Sequence, residues 1–225
     1  MAKKFTFVVE HLDPELGPWS ALEYKMIAKE SKQAGCDFIL SSVPDSLLES
    51  AELQSLGANA KSESIESYFA DRKERICLLD PQGKQELSPA DAKDFDVFLF
   101  GGILGDDPPR DRTGELRKKG FQGRRLGPKQ MTTDTAVRVS RMVVLDQTPL
   151  DKIPYVDFPE LQLGDHESTE MPFRYVVDKN GAPLMPPGMI DLIKADADKA
   201  FDDLEFVDEI EAMQDMQFSS HESVP

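Results

Sequence analysis

The sequence predicts an α/β fold, a mostly parallel sheet with helices on both faces. Three observations carry that expectation. Short apolar segments (KFTFVVEH, DFILSSV, RICLLD, VFLF) recur through the first hundred residues, and near-continuous apolar strands belong to parallel sheets covered on both sides. Segments with helical spacing or helix caps separate them, as in alternating α/β folds. Chemically useful residues collect where three strands finish, at Glu10-His11, Asp80 and Gly101-Gly102, and ligands of open parallel sheets bind at that carboxyl edge.

Each element has its own justification. KFTFVVEH places Phe5, Phe7 and Val9 on one face of a first strand. After the turn residues DPELGP, Pro18 opens a helix with Trp19, Leu22, Met26 and Ile27 at the spacing of one apolar face, closed by Gly35. DFILSSV is the second strand. From Pro44 to Arg75 the chain is polar and helical in character, with Leu47, Leu48, Leu53 and Leu56 as its apolar points. RICLLD, the short capped helix SPADAKDF and the strand VFLF follow. GRRL begins another short strand, and Thr132 or Thr133 caps a helix that carries Ala136, Val139 and Val143 on one face. There is no internal repeat.

Composition bounds the function. A chain of 225 residues, 40% hydrophobic and 30% charged, suits one large domain with an appendage. No apolar run approaches the ~20 residues of a membrane helix. MAKKFTFVVEHLD runs into an acidic turn instead of a small-residue cleavage site, so no secretory leader and a cytoplasmic location are expected. Cys36 and Cys77 lie in or beside apolar runs without CxxC spacing and read as buried, reduced thiols. His11, His166 and His221 are scattered, and no metal site is expected. GGILG is not a GxGxxG fingerprint, and no GxxxxGK[ST] loop exists.

The net charge of −16 opposes a general attraction to nucleic acid and favours basic partners. It hides an asymmetry. Arg110–Arg141 holds ten basic and three acidic residues, a balance of +7, whereas Phe201–Pro225 holds eight acidic residues and no Lys or Arg. The expected organisation is one domain over residues 1–203 and an acidic, flexible tail over 204–225.

The chemistry concentrates in FLFGGILGDDPPRDR, where an apolar strand breaks into Gly101, Gly102 and Gly105 and then into Asp106 and Asp107. A glycine turn after a strand is by itself weak evidence, since a tight turn with positive φ explains it equally well. A second glycine turn in GRRLGPKQMTTDTAV follows the next strand-like segment, with a long basic loop between the two.

With FGGILGDDPPRDRT, RRLGPKQMTTDTA and EMPFRYV followed by PPGMIDLIK, the chain resembles the knotted SPOUT methyltransferases. Within them it is similar to the fungal SPOUT protein-arginine methyltransferases that monomethylate ribosomal protein S-three, and to archaeal relatives described as RNA methyltransferases. The similarity runs from about Phe7 to about Asp203. The resemblance implies a C-terminal trefoil knot between roughly Leu99 and Leu145, an S-adenosylmethionine cofactor and a monomer. It also implies a basic small-subunit ribosomal protein as substrate. The cofactor site it implies comprises Leu79, Phe100, Gly101, Gly102 and Gly105 together with Leu126, Gly127, Gln130, Met131 and Thr132.

An arginine acceptor needs carboxylates, because its guanidinium stays protonated and its lone pairs are delocalised. Glu10, Asp106, Asp111 and Glu170 are the candidates. Each has a second reading: Glu10 as a solvated strand end, Asp106 as a helix or turn cap, Asp111 as a partner of Arg110 or Arg112, and Glu170 as a partner of an internal arginine. Arg124 and Arg125 read equally as phosphate contacts or as structural ion pairs. RNA methylation from the same cofactor site is therefore the alternative function, and a non-catalytic ribosome assembly factor is a third.

Overall fold

The computed structural model describes residues 3–101, 112–164 and 167–197. Six strands, β1 (Thr6–Glu10), β2 (Asp37–Ser41), β3 (Asn59–Ala60), β4 (Ile76–Leu79), β5 (Val97–Gly101) and β6 (Gln122–Arg124), form one sheet in the order β3-β2-β1-β5-β4-β6. Every pairing in it is parallel. The central register sets Glu10 beside Gly101 and Ser41 on its two sides.

Alternation along the strands divides the core between the two faces. Phe7, Val9, Cys77, Leu79, Phe98 and Phe100 join one buried cluster with Tyr24, Ile27, Val139 and Val143. Val8, Ile76, Leu78, Val97 and Leu99 join another with Ile65, Phe69, Leu116 and Phe121. Helices α1 (Pro18–Gln33) and α6 (Thr133–Val144) supply the first cover, while α4 (Ile65–Tyr68) and α5 (Arg112–Lys118) contribute to the second. Cys36 and Cys77 are buried free thiols, and burial pushes both above the usual thiol range.

Three differences from expectation have local causes. The stretch from Pro44 to Arg75 is not one helical region. It divides into α2 (Asp45–Leu48), α3 (Ala51–Ser55), the two-residue edge strand β3, α4, and a 3-10 segment at Ala70–Arg75. The basic loop after β5 contains α5, whose Leu116 is buried. In α1 the buried face is Ser20, Glu23, Tyr24, Ile27, Ala28 and Ser31, and Trp19, Leu22 and Met26 are only half-buried. On this face Glu23 is buried against Thr133 and Asp134 of α6, and α6 also brings a cation to the adjoining Glu30. Arg138, 3% exposed, donates to Glu30 of α1 and to Asp134 of its own helix, and to the carbonyl of Leu184.

The chain leaves β5, places β6 outside β4, and returns in α6 to the α1 face, a course consistent with a threaded chain. Residues 102–111 of the expected knot lie outside the described residues. Two small antiparallel pairs, β7 (Tyr155–Asp157) with β10 (Arg174–Val176) and β8 (Glu160–Gln162) with β9 (Ser168–Glu170), follow α6. The chain divides into two units, Met1–Pro187 and Gly188–Pro225. The second contains a helix over 189–197, and the expected tail at 204–225 lies outside the described residues. Among the described residues no helix is long and apolar enough to cross a membrane.

Arg138→Met should cost about 3–5 kcal/mol, because it strands two carboxylates that lose their buried cation. Urea unfolding followed by circular dichroism measures the loss.

Candidate active site

A cavity of about 490 Å³ opens at the carboxyl edge of β4, β5 and β6. Leu79 and Asp80 end the first wall, Phe100 and Gly101 the second, and the loop Arg125–Met131 the third, with Thr113 of α5 and Thr133 and Ala136 of α6 closing it. Its volume and mostly apolar lining suit a small organic ligand held by a few polar groups.

The loop keeps its shape because both ends are hydrogen-bonded to distant chain. The Arg125 amide donates to the Gln85 carbonyl and the Leu87 amide to the Arg125 carbonyl, both at 2.9 Å, and the Arg174 amide donates to the Gln130 carbonyl at 2.8 Å. Between these anchors Gly127 turns with φ +93°, a conformation that side chains with a Cβ rarely adopt. The Arg174 guanidinium grips Asp157 of β7 at 2.6 and 3.1 Å and lies over the Tyr155 ring, 4.6 Å from its centroid. Lys129 reaches the same Asp157 at 2.7 Å. These contacts, Arg174 first, hold the Asp157 carboxyl well below the usual range. The motif EMPFRYV thus carries the brace of the loop.

On the other side, α5 is pinned to the end of β4. Arg117 donates to both oxygens of Asp80, at 2.5 and 2.7 Å, and Asp80 is almost fully buried. One turn earlier, Thr113 packs on Gly101. A Cβ at Gly101 would lie 3.2 Å from Thr113 Oγ1 and 3.4 Å from its backbone nitrogen, so this glycine lets α5 approach the strand end. Thr113 Oγ1 is buried and has no hydrogen-bond partner among the described residues. Apolar walls, an exposed glycine backbone and an orphaned hydroxyl fit a nucleoside-bearing ligand such as S-adenosylmethionine.

Of the expected cofactor residues, Leu79, Phe100, Gly101, Leu126, Gly127, Gln130 and Met131 line this one cavity. Thr132 does not. It caps α6, and its buried hydroxyl is spent on Asp134 and Thr135 at 2.7 and 2.8 Å, while its neighbour Thr133 faces the cavity. Gly102 and Gly105 lie outside the described residues. Sequence reasoning missed Thr113, Lys129 and Ala136 as lining residues. In the sequence Ala136 reads as part of the apolar face of its helix, and FGGILGDDPPRDRT gives Thr113 no separate signal.

Of the expected carboxylates, the two that are described, Glu10 and Glu170, do not line the cavity. Glu10 is 1% exposed and outside the lining. Its Oε1 accepts from Ser42 Oγ at 2.7 Å, and its Oε2 accepts from Ser41 Oγ at 2.6 Å and the Ile65 amide at 3.2 Å. It is therefore no solvated rim residue; it ties β1 to β2 and to the start of α4. Glu170 is exposed on β9, opposite Glu160. Asp106 and Asp111 lie outside the described residues. Among the described residues no group of three or more His, Cys, Asp or Glu is placed to hold a metal ion.

The basic segment is largely neutralised from within the fold. Arg117, Lys119, Arg124, Arg125, Lys129, Arg138 and Arg141 each reach a carboxylate at 2.5–3.5 Å. Arg124 is the structural ion pair of its two readings: it donates to buried Asp91 and stacks over Phe95. Arg125 pairs loosely with Glu86 at 3.3 Å.

A model of the SFM1-like family, protein arginine N-methyltransferase SFM1-like, matches residues 6–200. The chain is 43% identical over 212 residues to protein arginine N-methyltransferase SFM1 of Saccharomyces cerevisiae, covering 88% of this chain and 98% of that protein. The crystal structure of the yeast arginine methyltransferase SFM1 complexed with SAM superposes with a TM-score of 0.77 at 43% identity, over 86% of this chain and 91% of that one. A full-length spTrm10–SAH complex shares the fold, with a TM-score of 0.51 at 12% identity over 66% of this chain and 91% of its own.

Burial, reinforced by the like charge of Asp134, pushes the Glu23 carboxyl well above its usual range. Glu23 accepts from Trp19 Nε1 at 3.3 Å, and the hydroxyl and amide of Thr133 face the same carboxyl. The folded state therefore holds a proton that the unfolded chain releases near ~4.3, and stability contributed below that value is lost as pH rises towards the folded pKa. Glu23→Gln should remove this loss. As pH rises above ~4.3 towards the folded pKa, the variant should gain on the parent by up to about 1.4 kcal/mol per unit, read from urea unfolding at each pH.

Proposed function

The chain belongs to the SFM1-like protein arginine N-methyltransferases, and we propose that it transfers a methyl group from S-adenosylmethionine to an arginine of a basic small-subunit ribosomal protein. It acts as a cytoplasmic monomer in this reading. The observation that carries the reading is the single cavity lined by both glycine-turn segments. Bound there, S-adenosylmethionine supplies a methyl group that is already electrophilic.

The protein's task is alignment and exclusion of water. Leu79, Leu126, Met131 and Ala136 provide apolar walls, and backbone at Gly101 and Gly127 offers polar contacts without side-chain bulk. The acceptor guanidinium must be oriented by fixed carboxylates, which also stabilise charge in the transition state. Asp106, Asp111, Glu10 and Glu170 are proposed for that role. Glu10 would act through its network at the strand edge, because its oxygens already accept three hydrogen bonds. Internal pairing of the basic segment also favours a protein acceptor over RNA, since few of those cations remain to meet phosphate.

Asp106→Asn and Glu10→Gln should each reduce single-turnover methyl transfer to protein by about 10²–10³, with S-adenosylmethionine affinity nearly unchanged. Tritiated cofactor with separate protein and RNA pools, followed by RNase and protease digestion, reads both quantities. Label confined to RNA would overturn the arginine reading, and near-normal transfer by both variants would overturn these two assignments.

Encounter with the substrate should be faster at low salt, as attraction between exposed charges is screened over ~8 Å at physiological ionic strength. Removing residues after Asp203 should slow that encounter and leave cofactor affinity intact. Stopped-flow association across a salt series is the measurement, and unchanged kinetics would reduce the tail to a solvated end.

A further inference from the structure

Beside the cavity stands an arrangement suited to a cation. Lys129 lines the cavity, yet its ammonium turns to Asp157 Oδ2 at 2.7 Å and lies 4.9 Å from the centroid of the Phe158 ring. A carboxylate and an aromatic face converging on one positive charge are the two elements of cation recognition by stacking and ion pairing.

Phe158 is unusual in two further respects. Its ring is one of the few large apolar side chains left exposed, at 42%. Its backbone has φ +52°, a left-handed conformation that is a genuine outlier for a bulky residue. Hydrogen bonds hold it there: its amide donates to the Phe173 carbonyl at 3.0 Å, and the carbonyl of the following Pro159 accepts from the Met171 amide at 3.0 Å. Strain maintained by its surroundings tends to mark functional positions.

We propose that Asp157 and Phe158 are the receptor for a cationic side chain of the substrate polypeptide, and that Lys129 is a resident cation which the substrate displaces. The proposal rests on the arginine methyltransferase reading and specifies how that enzyme selects its acceptor region. Exchange is cheap on the protein side. The Lys129–Asp157 pair is partly exposed, 36% and 30%, and such pairs contribute little to stability. Arg174 keeps its own two-pronged hold on Asp157 when Lys129 leaves, so the loop brace survives. A guanidinium suits the vacated place better than an ammonium, because its plane stacks on the ring while one N–H reaches Oδ2, the oxygen that Lys129 releases.

The test uses the full chain saturated with S-adenosylhomocysteine, titrated with a hexa-arginine peptide and its neutral hexa-citrulline counterpart. The parent should bind the arginine peptide and ignore the citrulline one. Lys129→Met should tighten peptide binding about three- to tenfold, since it removes the competitor. Phe158→Ala should weaken it about tenfold, and Phe158→Tyr, which keeps the ring, should restore it. In turnover, Phe158→Ala should raise KM for the peptide and leave kcat within about twofold. S-adenosylhomocysteine affinity should hold in both Phe158 variants. Weaker or unchanged peptide binding by Lys129→Met would overturn the displacement, and unchanged binding by Phe158→Ala would overturn the receptor. A parent chain that fails to bind S-adenosylhomocysteine would overturn the methyltransferase reading itself, and this proposal with it.

Discussion

The cavity depends on one constraint: the loop Arg125–Met131 must keep a fixed shape without regular secondary structure of its own. Backbone hydrogen bonds at each end provide that, one set to the Gln85–Leu87 segment and one to Arg174. Both anchors lie at least 38 residues away in sequence, between Leu87 and Arg125 on one side. Loops that are held only locally sample many states, and ordering them on binding would consume affinity. Here that ordering cost is met during folding. Gly127 then serves a geometric purpose inside a loop already fixed at its ends.

Charge performs the same work at the side-chain level. Arg117 ties α5 to Asp80, Arg124 ties β6 to Asp91, Arg174 ties β10 to Asp157, and Arg138 ties α6 to α1. In each, one member at least is substantially buried, so losing a partner strands a charge and costs more than the pair contributes. These pairs therefore act as registers. They permit one relative placement of the elements around the cavity and penalise the others.

The longer strands of the sheet and the turn at Gly127 were legible in the sequence because they depend on local patterns, namely apolar runs and a residue with unusual backbone freedom. The chemistry of α1 was not. Its apolar spacing pointed to Trp19, Leu22 and Met26, but the face that turns inward carries Glu23, and the adjoining Glu30 meets Arg138, more than a hundred residues away. The two-residue strand β3 is too short to show a period. The sequence left Arg124 open between a phosphate contact and an ion pair, because its partner Asp91 sits 33 residues earlier in a segment whose own signal was only a cap. That cap is real, since Asp91 accepts from the Ser88 amide at 2.8 Å, and the same carboxylate uses its other oxygen for Arg124. Phe158 gives no sequence signal at all, because a left-handed backbone at phenylalanine is imposed by tertiary hydrogen bonds.

These internal pairs also bear on how the molecule presents itself to a partner. Seven cations of the segment that reads most basic are each matched to a carboxylate. Matching leaves the net charge at −16 but cancels the local positive field that a phosphate backbone would meet. A net negative charge of that size in general attracts cationic polymers and repels nucleic acid. Arginine's properties make this dual use possible. It remains charged when buried and pairs through a fork, so one residue type can set the register of the fold and withdraw its charge from the surface. The acceptor for which the enzyme is built is the same residue type, and it too must find carboxylates and an aromatic face to be held. The chemistry that braces the cavity from within is the chemistry by which a guanidinium would be received from without.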